Sequence, residues 1–142
     1  MEITHQNNLN FKIKGKNAQV ILDTARMTVD DFEISGPGEY EVKGVTVLAI
    51  KDDAKLVFRV KIDNVIFLYP GCLKEEIDGV DVLFTDNSEI VSKIKPKMVI
   101  PMGEEEQVKK IIKDLGKEGL SKLPKLLTSA DKLPDLLEVI WL

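Results

Sequence analysis

Histidine and cysteine are almost missing from this chain of 142 residues, which contains one of each, His5 and Cys72. A single cysteine excludes a disulfide bond within the chain, and we expect a reducing, cytoplasmic environment. A single histidine cannot supply the two or three imidazole ligands that catalytic zinc sites commonly use. The scarcity of both residues therefore argues against a histidine-based metal centre.

Long apolar runs and an excess of basic residues are also missing. No stretch is long enough to span a bilayer, and the N-terminus lacks the basic start and apolar segment of a signal peptide. The net charge is -4, and the lysines are scattered among acidic residues. Because phosphate binding needs clustered Lys and Arg, we expect no nucleic-acid partner and no membrane partner.

Apolar periodicity predicts a strand-rich first part. The composition, 44% hydrophobic and 31% charged, is that of a soluble globular protein, and the length predicts one domain, 1–142. Alternating or continuous apolar runs predict strands at 11–15, 18–23, 40–50, 55–62 and 64–69. The segment from Gly15 to Asn17 and the Asp63–Asn64 pair are typical of hairpin turns.

In the last third, the pattern alternates between strands and helices. We predict strands at 80–86, 97–101 and 136–142, and helices at 87–94 and 104–116. Ser88 is the candidate N-cap of the first helix, and Gly116 is the candidate C-cap of the second. Hairpins followed by strand–helix units predict an α/β protein with sheet packed on sheet and helices outside.

The most distinctive stretch is GPGEYEVKGV at 36–45. Together with the segments at 1–23, 65–86, 94–103 and 126–142, it resembles the metallo-β-lactamase-fold superfamily. Within that superfamily, the chain is similar to the small bacterial branch of zinc-dependent hydrolases and lactonase-like proteins. The resemblance implies a shortened αββα sandwich, with mostly antiparallel or mixed sheets and helices outside, and metallo-hydrolysis as the family activity.

The chain departs from that family at the metal ligands. Active members bind one or two metal ions through a His-x-His-x-Asp-His loop, a later histidine, a bridging aspartate and a last histidine. Here the histidine loop is absent, and the remaining ligand positions read Asn8 for an early histidine, Pro70-Gly71 for a Gly-Asp pair, and Pro101-Met102-Gly103 for Pro-Met-His. The resemblance therefore implies a relative that has lost its catalytic centre.

The Gly-Pro-Gly run itself predicts a structural corner. Gly36 and Gly38 permit positive φ angles, Pro37 fixes a turn, and the next strand begins near Tyr40. In the family this run lies outside the metal ligands. It identifies the resemblance but supplies no chemistry.

Three acidic residues are candidate ligands of a rebuilt metal site. Asp23 and Asp86 each end a predicted strand, and Glu104 follows the position of the missing last histidine. Carboxylate oxygens at these places would suit Mg²⁺ or Ca²⁺. The alternative is that Asp23 and Asp86 cap turns, while Glu104 stabilises a helix N-terminus.

Two further pairs of residues allow alternative interpretations. Cys72 and His5 could form a nucleophile–base pair near strand ends, or they are a buried thiol and a surface histidine. Trp141 and Leu142 belong either to the core or to a sheet edge that pairs with a second copy. We therefore expect a homo-oligomer.

Three hypotheses of function follow. The first is a pseudoenzyme without a cofactor, which has a binding or assembly role and a small-molecule ligand that the sequence does not identify. The second is a hydrolase of a phosphoester or lactone, with a divalent metal at Asp23, Asp86 and Glu104. The third is a hydrolase that uses Cys72 and His5. A partner chain could also supply the missing histidine loop.

Overall fold

The computed structural model describes residues 1–71 and 77–142, which form two β-sheets and two α-helices. The first sheet contains β1 (Glu2–Asn7), β2 (Asn10–Lys14), β3 (Gln19–Leu22), β4 (Met27–Val29), β5 (Phe32–Ile34) and β12 (Leu126–Leu127). Its order is β12-β1-β2-β3-β4-β5, and every neighbouring pair is antiparallel.

The second sheet is larger and mixed. It contains β6 (Gly38–Val42), β7 (Val45–Asp52), β8 (Lys55–Ile62), β9 (Val65–Tyr69), β10 (Val82–Thr85), β11 (Met98–Pro101) and β13 (Glu138–Val139). Its order is β13-β11-β10-β9-β8-β7-β6. The strands from β6 to β9 are joined by antiparallel pairs, whereas β9, β10, β11 and β13 are parallel to one another.

Buried side chains from both sheets form one core. Phe11 of β2 contacts Phe84 of β10, with ring centroids 4.8 Å apart, so the contact joins the two sheets. Aromatic pairs at such distances add to the stabilisation that comes from burying their area. The two sheets therefore pack face to face.

A second core lies on the other face of the larger sheet. The helices α1 (Val91–Ile94) and α2 (Glu105–Asp114) bury an apolar face there. Val108 and Ile112 of α2 belong to the same buried cluster as Leu83 and Val99 of the sheet. Their spacing of four residues puts both α2 side chains on one helical face.

The α/β class, the two sheets and the outer helices agree with the sequence-based expectation. Both α-helices contribute buried residues to the core of the larger sheet, and no α-helix within 1–71 and 77–142 contributes to the core between the sheets. The complete αββα order stays a prediction. No helix in these two described ranges is both long enough and apolar enough to cross a bilayer.

Most predicted strands are confirmed, but several details differ. The predicted strand at 40–50 is a hairpin, because Lys43 and Gly44 turn with positive φ angles of 50° and 81° between β6 and β7. Neither β4 nor β5 stands out in the sequence, since each has only three residues. The predicted helix at 87–94 is a 3₁₀ turn (Ser88–Ile90) followed by α1, and its cap is Asn87 rather than Ser88.

The carboxyl-terminal strand is shorter than predicted. Only Glu138 and Val139 pair with β11, although Leu142 is buried in the core between the sheets. The carbonyl of Trp141 accepts a hydrogen bond of 2.8 Å from the amide of Leu123, which covers the edge at that point. Pairing of this edge with a second copy stays a prediction.

Candidate functional site

The carboxyl ends of three parallel strands meet at one edge of the larger sheet. β9, β10 and β11 are neighbours, so Pro70, Asp86 and Met102, which follow them, lie at the same edge. β8 runs antiparallel to β9 and brings its first residue, Lys55, to that edge as well. These four residues line a cleft of about 450 Å³, which we call the strand-end cleft.

Turns of the smaller sheet complete the lining of this cleft. Leu9 comes from the β1–β2 turn, Thr24 from the β3–β4 turn, and Ser35 from the segment after β5. Among the described residues, the cleft therefore combines apolar walls, two hydroxyl groups and two charged side chains, those of Lys55 and Asp86. Sites for small molecules are mostly apolar, contain a few polar groups and have volumes of about 300–1,000 Å³.

Tyr69, the last residue of β9, holds one wall of the cleft in place. Its side chain is fully buried, and its hydroxyl donates a hydrogen bond to the carbonyl oxygen of Leu9. Burial, followed by the negative charges of Asp23 and Asp86, raises the pKa of Tyr69 above its ordinary value. The phenol is therefore neutral at physiological pH and ties the β1–β2 turn to β9.

Two of the three candidate carboxylates lie near Tyr69. Asp86 lines the cleft, while the Asp23 carboxylate accepts a hydrogen bond of 3.2 Å from the amide of Ala25 within its own turn. Glu104 is exposed and stands at the N-cap position of α2 without a side-chain capping bond. Across 1–71 and 77–142, no three His, Cys, Asp or Glu side chains are grouped closely enough to hold a metal ion. The triad of Asp23, Asp86 and Glu104 is therefore not assembled in this structure.

Gly71 stands where the resemblance expects a bridging carboxylate, and it leaves no room for one. Its amide donates a 2.7 Å hydrogen bond to the carbonyl of Phe84, and its carbonyl accepts one of 3.2 Å from the Thr85 hydroxyl. A Cβ atom at Gly71 would lie 2.2 Å from Cδ1 of Leu83, far inside van der Waals contact. Any side chain here would therefore collide with a buried leucine on the helix-covered face of the sheet.

Gly103 stands where the last histidine would be, and it is also unsuited to a side chain. Its φ angle is +124°, which L-residues rarely adopt, and a Cβ atom would lie 2.3 Å from Oε1 of Gln107. The Gln107 amide group instead donates to the carbonyl of Asp86, at 3.3 Å. The Gly103 amide reaches the carbonyl of Asn8 at 3.4 Å, so two of the expected ligand positions are neighbours.

His5 has a structural role in β1. It is half-buried, and its ring stacks on Phe11 at a centroid distance of 4.8 Å. Its Nε2 donates to the carbonyl oxygen of Asn8 at 2.9 Å. The proposed partner, Cys72, lies outside the described residues, so the Cys72–His5 pair stays a prediction.

The Gly-Pro-Gly run is a corner between the sheets, as the sequence predicts. Ser35 to Pro37 connect β5 of one sheet to β6 of the other. Gly38 has a φ angle of +144°, whereas Gly36 needs no positive φ. The Tyr40 hydroxyl closes the corner by donating to the carbonyl of Gly36 at 2.9 Å.

The cleft also contains residues that the sequence did not single out. Lys55 begins an alternating strand and looks like any other surface lysine in the sequence. Thr24 and Ser35 occur in turns, where such residues are common for local reasons. Tyr69 carried a usable signal, because a hydroxyl in a continuously apolar strand needs a buried hydrogen-bond partner.

Comparisons with known proteins identify the fold. A scan against protein-family models gives no match, and neither does a search of curated protein sequences. Among solved structures, the chain is similar to a Thermotoga maritima protein of the metallo-β-lactamase superfamily, described as a candidate zinc-dependent hydrolase. The TM-score is 0.75, the sequence identity is 16%, and the alignment covers 100% of both chains.

The chain therefore has the metallo-β-lactamase fold. At a sequence identity of 16%, the similarity shows the fold but does not show the activity. Because the alignment covers the whole of both chains, the chain shows no shortening relative to this neighbour.

The residues at the strand-end cleft do not fit a catalytic zinc ion. Such an ion takes about three protein ligands, chiefly histidine nitrogen, carboxylate oxygen or cysteine sulfur. Of the described residues that line the cleft, only Asp86 offers one of these groups. The buried Leu83 fills the space beside Gly71, and Gly103 has a φ angle of +124°, which disfavours any side chain.

Proposed function

We propose that this protein is a pseudoenzyme of metallo-β-lactamase type, and that its strand-end cleft binds a small organic molecule without metal chemistry. The observation that carries the proposal is the pair of glycines. Both lie at strand ends beside the cleft, where the resemblance expects ligands. The buried Leu83 fills the space of a Cβ atom at Gly71, and the φ angle of +124° disfavours a side chain at Gly103. We also propose that the two sheets and the helices outside them form a shortened αββα sandwich.

The cleft supports a binding role more strongly than it supports hydrolysis. The lining that residues 1–71 and 77–142 provide is mostly apolar, with two hydroxyls and two opposite charges, which is the composition expected of a recognition site. Hydrolysis by this fold would need a metal-bound water, and the side chains that would hold the metal are not grouped in the described residues. The tight packing at Leu83 makes the strand ends a rigid base for binding.

The first experiment measures metal content. Untagged protein is incubated with zinc, manganese and magnesium salts, dialysed and analysed by mass spectrometry. We expect less than about a tenth of an equivalent of any metal, because zinc held by a proper protein site would survive dialysis. Near-stoichiometric metal that disappears in Asp23→Asn and Asp86→Asn variants would overturn the proposal and favour the hydrolase of phosphoesters or lactones.

The second experiment measures binding directly. Protein labelled with ¹³C at its methionine methyl groups is titrated with a library of small organic fragments. Met27, Met98 and Met102 all belong to the core between the sheets, but only Met102 also lines the cleft. The Met27 and Met98 signals therefore serve as internal controls. We expect fragments that shift the Met102 signal and leave the other two unchanged. A library that never moves Met102 selectively would refute the binding role.

A further inference from the structure

The strand-end cleft has a positive side chain at one place and a negative side chain at another. Lys55 is the only cationic residue among the described residues that line it, and Asp86 is the only anionic one. No ion pair involves either of them within 1–71 and 77–142. Asp23 does not line the cleft itself, but the next residue in the chain, Thr24, does. Among the described lining residues, a ligand therefore meets the Lys55 ammonium group at one place and the Asp86 carboxylate at another.

The strand order sets the distance between these charges. Lys55 belongs to β8, Asp86 follows β10, and β9 lies between the two strands. Neighbouring strands lie about 4.8 Å apart, so the two backbones are separated by roughly 10 Å. At that separation the two side chains do not neutralise each other by a short, direct ion pair, and a bound molecule can span the gap.

The lining between the charges is mainly apolar. Pro70 directly follows β9, the strand between β8 and β10, and Leu56 lies next to Lys55 on β8. Leu9 and Met102 add further apolar surface. Burying methylene groups against such a surface is favourable, by about 0.8 kcal/mol for each group that is fully buried. A ligand of matching chemistry has charged ends and an apolar middle.

We propose that the cleft binds a small zwitterion, with its carboxylate at Lys55, its ammonium group at Asp86 and a short apolar chain between them. This inference rests on the proposed binding function and specifies the chemical class of the ligand. Thr24 and Ser35 supply hydroxyls that can accept from the ammonium group or donate to the carboxylate.

The test compares three probes of equal chain length. ε-Aminocaproate carries both charges, caproate carries only the carboxylate, and n-hexylamine carries only the ammonium group. Each is titrated into the full-length protein at neutral pH while the Met102 methyl signal is recorded. We expect ε-aminocaproate to bind about tenfold more tightly than either singly charged probe, since each end gains a charge-assisted contact.

Charge variants assign each end of the probe. Lys55→Gln should weaken ε-aminocaproate to the level of n-hexylamine, and Asp86→Asn should weaken it to the level of caproate. The matched controls are Lys61→Gln, at the other end of β8, and Asp31→Asn, in the exposed β4–β5 turn, and they should change nothing. Unshifted Met27 and Met98 signals verify that each variant is folded.

The outcomes separate this inference from the proposed function. If caproate or other fragments move Met102 as strongly as ε-aminocaproate does, the cleft binds ligands but the zwitterion is the wrong class. If the charge variants have no effect, the assigned orientation is wrong. If no probe and no fragment moves Met102, both the ligand class and the binding function are refuted.

Discussion

The smaller sheet buries one face of its strands, whereas the central strands β10 and β11 of the larger sheet are buried on both faces. In β2, Phe11 and Ile13 are fully buried, while Lys12 and Lys14 between and beside them are not. In β10, all four residues from Val82 to Thr85 are buried. The larger sheet therefore contributes to two cores and supports the strand-end cleft, and the smaller sheet contributes to one core and supplies turns.

This difference predicts where the protein is sensitive to substitution. A residue in the middle of the larger sheet packs against the smaller sheet on one side, while its neighbour in sequence packs against the helices on the other. Phe84 and Leu83 are such a pair. A residue on the outer face of the smaller sheet packs against much less, so its removal should have little effect.

The largest effect is expected for Phe84→Ala. The Phe84 ring is fully buried and contacts the rings of Phe11 at 4.8 Å and Tyr69 at 5.8 Å. The variant should lose about 3–5 kcal/mol of unfolding free energy in urea titrations. Lys12→Ala, on the outer face of the smaller sheet, should change stability by less than about 0.5 kcal/mol. Equal losses of unfolding free energy in the two variants would contradict the difference in burial between the two sheets.

An intermediate effect is expected for Gly71→Ala. The added Cβ would meet Leu83 at 2.2 Å and the Phe84 carbonyl at 3.2 Å, so the variant should be destabilised by about 1–3 kcal/mol in the same titration. Gly36→Ala is the matched control, because its nearest neighbour would lie 4.0 Å away and its φ is not positive. If Gly71→Ala is as stable as the control, Leu83 does not fill the space beside Gly71 as described.

The smallest effect is expected for Tyr69→Phe, and it depends on pH. The unfolded chain loses the tyrosine proton near pH 10, whereas in the folded state the pKa of Tyr69 is raised, so the folded state keeps the proton to higher pH. The phenol's contribution to stability is therefore constant below pH 10 and decreases as the pH rises above it, by up to about 1.4 kcal/mol per pH unit.

The Phe variant lacks this decrease. Urea unfolding of both proteins from pH 8 to pH 11 should show the wild type losing stability relative to Tyr69→Phe in the upper part of the range. Lysines that titrate in the same range affect both proteins equally and cancel in the difference. Curves that stay parallel throughout would show that Tyr69 is not protected from ionisation in the folded protein.

The same contrast between the sheets explains what the sequence could predict. The strands at 55–62 and 64–69 were predictable, because their buried residues form alternating or continuous apolar patterns that are long enough to recognise in the sequence. β4 and β5 were not, since three residues are too few to show a period. The last strand was overpredicted, because pairing with β11 ends at the hydrogen bond from the Ile140 amide to the Val99 carbonyl, and Leu142 is apolar through contact with the core.

The candidate site was partly predictable for a similar reason. Asp23 and Asp86 were found as strand-end residues, and both prove to lie close enough to affect Tyr69. Glu104 was chosen by its position after a missing histidine, but it sits exposed at the start of α2. Lys55 could not be found, because its place in the cleft depends on the order of three strands in the sheet.

The closed space at Gly71 also constrains the order in which mutations could build a metal site in this protein. A single change of Gly71 to aspartate would collide with Leu83 before the carboxylate could contribute to a site. Leu83 would have to become smaller first, and that change would itself weaken the core beneath the helices. Each first step therefore lowers stability with no gain in metal affinity. The present packing therefore opposes the introduction of a carboxylate at Gly71 by one substitution at a time.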